Sequence, residues 1–108
     1  MNTYLPEQPM NNPQLAHDLL KNLLDLLSEQ GEQNWRRGVS AAFLELKDPQ
    51  GSLNPAGFDN AASIYRSMTS GGRGFSEYFV WSPDDDERIR ANQRLDELRD
   101  ELWKVFSR

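Results

Sequence analysis

Apolar positions recur at helical spacing in four separate stretches of the chain. In the first, Leu15, Leu19, Leu20, Leu23, Leu24, Leu26 and Leu27 fall mostly three and four residues apart and make one broad apolar face. Asn12 suits the cap of this helix. Pro13 suits its first position, where the N–H that proline lacks would have no partner anyway, and Gly31 can end it in the left-handed conformation. The second stretch runs from about Glu32 to Lys47, with Trp35, Val39, Ala42, Phe43 and Leu46 on one face. Gly38 interrupts it at a cost of about 1 kcal/mol relative to Ala, and marks either a closely packed neighbour or a kink. The third opens on Asn54-Pro55, carries Phe58, Ala61, Ala62, Tyr65 and Met68 as its inner stripe, and ends at Ser70-Gly71-Gly72-Arg73-Gly74. In the fourth, Ser82 caps, Pro83 opens, and Ile89, Leu95, Leu98, Leu102, Val105 and Phe106 form the stripe. Acid-first pairs four residues apart, Glu32 with Arg36, Asp86 with Arg90 and Asp100 with Lys104, add support.

These patterns predict an all-α fold: a single-domain four-helix bundle over residues 13–108, preceded by a flexible arm over 1–12 whose Tyr4, Leu5 and Met10 can still pack onto it. The Asn-Pro start occurs twice, which is shared capping chemistry rather than a repeat. Phe75 to Trp81 breaks the helical pattern. It is aromatic and β-prone, but a strand needs a partner and no second strand is evident. It reads as an extended or partly helical connector that lays aromatic residues on the core before the last helix.

Composition narrows the function classes. The chain has 108 residues, 12 Lys plus Arg against 17 Asp plus Glu, a net charge of −5, one His and no Cys. One domain of ordinary size follows. The acidic balance disfavours a nucleic-acid partner. Without Cys there is no disulfide framework, no Cys-ligated metal and no thiol nucleophile, and one His excludes sites that need two imidazoles. No apolar stretch is long enough to span a membrane, and neither a secretory signal nor a lipidation motif is visible, so a cytoplasmic location is expected.

The candidate sites each have a structural explanation. Asp84 to Glu87 read as a protein-docking patch, a metal site, or carboxylates that simply offset the helix macrodipole; the calcium-loop pattern is absent. Ser70 to Gly74 lacks the strand and the Gly-Lys-Ser/Thr ending of a phosphate loop and reads as a turn. His17 has no obvious catalytic partner, since Asp18 points elsewhere on a helix, and Asp96, Glu97, Asp100 and Glu101 share a charged outer stripe with Arg99 and Lys104. No G-x-S-x-G turn is present. The expectation is a protein without enzymatic activity, cofactor or metal. Three Trp, three Tyr and five Phe exceed what so small a bundle must bury, so some aromatic side chains should reach the surface, where they make strong binding anchors; a core plug is the other reading of Phe75 to Trp81.

Several short motifs carry a resemblance. Gly31-Glu32-Gln33-Asn34-Trp35 forms a GExxW turn, Tyr65 to Met68 precedes Gly74-Phe75, and Asn92 to Leu98 reads N-x-x-L-D-x-L. Over roughly residues 15–106 the chain resembles a family of small, uncharacterised bacterial helical proteins. It departs from them in having Gly-Phe for Gly-Ser-Phe and the additional Gly71-Gly72-Arg73. The resemblance implies a helical fold and transfers no catalytic residues. Small acidic proteins of this kind are often immunity proteins that neutralise a bacterial toxin or effector. The expected function is therefore direct binding of a protein partner, through Glu77, Tyr78, Trp81, Asp84, Asp85, Asp86 and Glu87, with Trp35 and Arg36 second. The alternative is a homodimeric or larger structural or regulatory module.

Overall fold

A computed structural model describes residues 12–70 and 74–107. Residues 1–11 of the expected arm (1–12), with Tyr4, Leu5 and Met10, together with Gly71-Gly72-Arg73 and Arg108, lie outside the described residues. The fold is an all-α four-helix bundle: α1 Pro13–Glu29, α2 Asn34–Glu45, α3 Phe58–Thr69 and α4 Asp85–Phe106.

Helix α1 begins and ends where its punctuation places it. The Asn12 side chain accepts the N–H of Leu15 at 3.1 Å, and Gly31 takes φ 68 just past the end. Ala16, Leu20, Leu23, Leu26 and Leu27 are buried, while Leu15 is 40% exposed because Ala16, one step round the helix, takes the inward position in the first turn.

The other three starts differ from the expected ones. Helix α2 is two residues shorter than expected at each end. Glu32 is not helical; its carboxylate accepts the Trp35 N–H and caps the helix, so it does not pair with Arg36, which instead donates to the Ser28 hydroxyl of α1 at 3.5 Å. At the far end Lys47 pairs with Leu53 in an isolated bridge that closes the Asp48–Ser52 loop. After Asn54-Pro55 the chain makes one 3-10 turn, Pro55–Gly57, before α3, and the Asn54 side chain makes no capping bond. Helix α4 is capped by Asp84, which accepts the Glu87 N–H at 3.0 Å, and not by Ser82. Asp84 has Glu87 at the capping-box distance, and this outcompetes the Ser82-Pro83 start. Ser82 serves the same end differently: its hydroxyl accepts the Asp84 N–H and donates to the Glu87 carboxylate. Arg88 pairs with Asp85 at 2.7 Å in place of the expected Asp86–Arg90 pair, and Asp100–Lys104 forms at 3.1 Å. Ile89, expected in the buried stripe, is 53% exposed in the second turn.

Helix α2 packs most extensively on α3, and α1 lies against both α2 and α4. Helices α3 and α4 meet little directly. The space is filled by an aromatic cluster in which Phe75 contacts Trp35 (5.6 Å), Tyr65 (6.5 Å) and Tyr78 (6.0 Å), and Phe106 contacts Tyr65 and Phe58. Phe75 is fully buried and contributes about 2–3 kcal/mol by area alone. Gly38 marks the close approach of a neighbour rather than a kink: α2 runs through it unbroken, and a Cβ there would sit 2.4 Å from Met68 Sδ on α3. Arg66 on α3 donates to the Phe106 carbonyl at 2.6 Å and satisfies the end of α4. No helix among the described residues is long and apolar enough to cross a membrane.

Candidate functional site

The connector between α3 and α4 is where sequence and structure together concentrate unusual features. It starts at Gly74, whose backbone lies so close to the end of α3 that a Cβ would come 2.6 Å from the Ser70 carbonyl and 2.7 Å from that of Met68. A 3-10 turn, Phe75–Glu77, drops Phe75 into the core. The chain is then extended to the start of α4, with Tyr78 half-buried, Val80 and Ser82 buried, and Phe79 and Trp81 exposed at 62% and 69%. The connector thus does both things expected of it: it plugs the core and presents aromatic side chains to the surface.

An extended backbone against a helix has no ladder to satisfy its polar groups. Side chains of α4 take that role. The Arg99 guanidinium donates to the Phe75 and Tyr78 carbonyls, both at 2.7 Å, and to Asp96 at 2.8 Å. Asn92 holds Val80 from both sides, accepting its N–H at 2.7 Å and donating to its carbonyl at 3.0 Å. Arg88 donates to the Ser82 carbonyl at 2.8 Å while its guanidinium lies 5.2 Å from the Trp81 ring, which holds this exposed indole in place. The sequence carried a signal for all three. Arg88, Asn92 and Arg99 share the four–three–four–three–four spacing of Arg88, Asn92, Leu95, Arg99, Leu102 and Phe106, so they are polar residues in the register of the buried stripe. Arg99, expected on an outer stripe, has only 16% of its side chain exposed.

The expected binding residues are distributed as follows. Glu77, Trp81, Asp84, Asp85, Asp86 and Glu87 are all exposed along the connector and the first turn of α4. Phe79 belongs with them. Tyr78 stacks on Phe75 and faces partly inward. Trp35 packs behind the connector against Phe75, and Arg36 lies in a separate groove of about 600 Å³ between α1 and α2, with Lys21, Leu24 and Ser28. His17 packs on Phe43 at 4.9 Å and, contrary to expectation, hydrogen-bonds Asp18 at 2.9 Å; this bond holds that carboxyl below the usual range, burial opposes it, and the Gln14 amide adds to the lowering. Among the described residues no group of three or more His, Asp or Glu is placed to hold a metal.

A cavity of about 370 Å³ lies beside the connector, lined by Tyr65, Thr69, Ser76, Asp96, Arg99, Asp100 and Trp103. The Tyr65 hydroxyl is buried there without a protein partner. Burial pushes its ionisation well above the ordinary phenol value, with the Arg99 charge pulling weakly the other way. Burial also raises Tyr78, the Glu32 charge adds to it, and Arg99 opposes. The folded chain therefore keeps protons that the unfolded chain releases above pH ~10. The contribution of these two phenols to stability should be level below that pH and fall as pH rises beyond it. In an alkaline titration, the phenolate absorbance of Tyr65 should appear together with loss of helical circular dichroism, and a Tyr65→Phe variant should lack that absorbance change. Ionisation of Tyr65 while the helices remain intact would contradict the burial argument.

No family model, curated protein or solved structure matches the chain.

Proposed function

We propose that this chain is a small acidic protein-binding protein, most specifically an immunity protein that neutralises a bacterial toxin or effector by direct contact. The observation that supports this reading is the pairing of two largely exposed aromatic side chains, Phe79 and Trp81, with the exposed acids Glu77 and Asp84 to Glu87 on one continuous stretch. Large apolar rings held in water by a fixed backbone lose little entropy on binding, and such residues dominate interface energetics. The flanking carboxylates would steer a basic partner and, if the partner is a nuclease, stand where its substrate phosphates bind.

The test is co-expression with the product of the adjacent gene, reading growth rescue and isolating the complex. Rescue and a stable complex are expected. Phe79→Ala and Trp81→Ala should each weaken the complex about 30-fold, a loss of ~2 kcal/mol typical of an anchor residue, with unfolding midpoints unchanged because neither ring is buried. Retained affinity in both variants would sink the assignment of this surface. The homo-oligomeric reading draws on Leu44 and Trp103, exposed at 61% and 53% on α2 and α4. Light scattering decides it, since a monomer mass at every concentration removes it.

A further inference from the structure

The backbone of the connector alternates as regularly as its side chains do. The Tyr78 carbonyl, the Val80 N–H and carbonyl and the Ser82 carbonyl all turn toward α4, where Arg99, Asn92 and Arg88 bond them. In an extended chain the N–H and C=O of one residue point to one side and those of its neighbours to the other. Phe79 and Trp81 therefore direct their N–H and C=O groups away from α4, and among the described residues nothing bonds them. The segment is an extended, strand-like stretch whose inner edge is satisfied by helix side chains and whose outer edge is open.

We propose that this open edge takes up an extended basic segment of a partner protein as an added strand. The proposal rests on the protein-docking reading above and gives it a mode: main-chain hydrogen bonds to Phe79 and Trp81 supply affinity, and the two aromatic side chains sort the residues that lie beside them. The edge is short because Pro83, which has no N–H, ends it. Charge selects the occupant. Residues 75–87 contain five acids and no Lys or Arg, and the following Arg88 is engaged with Ser82 and Asp85. A second copy of this chain is disfavoured for the same reason. Antiparallel pairing of Phe79 with Trp81 of another copy would set Glu77 opposite Pro83, one residue from the acidic run Asp84 to Glu87, at both ends, and like charges brought together across a strand pair repel. A segment with Lys or Arg at its ends and β-formers between them meets the same acids favourably.

The experiment titrates the isotopically labelled full chain with four capped peptides: Lys-Val-Thr-Val-Thr-Lys, the same peptide with Glu for both Lys, and two N-methylated forms that block alternate edges. The basic peptide should bind with a dissociation constant at or below about a millimolar. It should also slow hydrogen exchange at the Phe79 and Trp81 amides. The acidic peptide should not bind, and at least one N-methylated form should fail. Equal binding of basic and acidic peptides, binding by both N-methylated forms, or no protection of those two amides would overturn the proposal. On the protein side, Phe79→Pro and Trp81→Pro should each bind the basic peptide about tenfold more weakly than the matching alanine variants, the loss of one interfacial hydrogen bond. Tyr78, at φ −71 and ψ 141, already has the conformation a residue before proline requires. If the alanine variants lose the toxin but proline and alanine variants behave alike, strand addition falls and docking through the aromatic pair stands. If the alanine variants keep the toxin, the docking reading itself falls.

Discussion

Gly57→Ala should cost at least about 3 kcal/mol of folding stability, a large share of what a domain of this size possesses. A Cβ at this position would lie 1.6 Å from the Glu45 carbonyl oxygen and 2.5 Å from its carbon. Both atoms are backbone, so no side chain can swing aside. The demand is for space alone, since Gly57 sits at φ −84, which any residue adopts. Relief would require moving the 3-10 turn off the end of α2. That turn is tied down by the Asn54 N–H bonded to the Leu46 carbonyl at 2.7 Å and by the Lys47–Leu53 bridge. Gly38→Ala is the control. Its Cβ meets the thioether end of Met68, which can rotate away, and alanine favours a helix interior by about 1 kcal/mol over glycine. Urea unfolding followed by circular dichroism should leave Gly38→Ala within about 1 kcal/mol of the parent and Gly57→Ala far below it. Similar midpoints for Gly57→Ala and the parent would show that the close approach is not structural.

The contrast between these two glycines marks where sequence reading stops. Both look alike in one dimension, as helix-breaking residues near apolar stripes. Their difference depends on which atom of a distant element arrives beside them. The four helices were legible because each stripe repeats over three or more turns. Their starts were less so, because start signals overlap: Ser82-Pro83 and Asp84 with Glu87 are both sound caps, and only the local bonding of residues 82–87 in the fold shows which one prevails. Leu15 and Ile89 carry the right spacing but lie in the first or second turn of their helices, where the neighbouring helices give no cover. Phe79-Val80-Trp81 hides its alternation, since three consecutive apolar residues offer no polar contrast to read at period two. The acidic part of the surface was visible as a run of carboxylates. The residues that hold it in shape were not: Arg99 reads as part of a charged outer stripe, and the shared register of Arg88, Asn92 and Arg99 with Leu95, Leu102 and Phe106 acquires meaning only beside the lone extended backbone that they satisfy.

Arg99→Met should therefore release the connector and destabilise the protein by about 3 kcal/mol. Methionine keeps length and apolar bulk but removes every donor. Two carbonyls, of Phe75 and Tyr78, lose charge-assisted bonds of 2.7 Å, and the Phe75 ring loses the cation 5.5 Å from its centroid. Each such hydrogen bond contributes roughly 1.5–3 kcal/mol net. The total is limited because the connector can lift into water and hydrate its carbonyls, at the expense of exposing Phe75. Hydrogen exchange should consequently accelerate across residues 75–82 well before it does in α1. Arg99→Lys should recover little: one ammonium cannot reproduce the fork that spans two carbonyls and the Asp96 carboxylate together. The variant also separates shape from charge at the proposed interface. Arg99 is turned inward, yet its loss should weaken partner binding as much as removing Trp81 does, because the strand edge and its aromatic side chains exist as a surface only while the backbone is held. A stable Arg99→Lys protein with parental exchange rates would show that a point charge is enough and that the fork geometry is incidental.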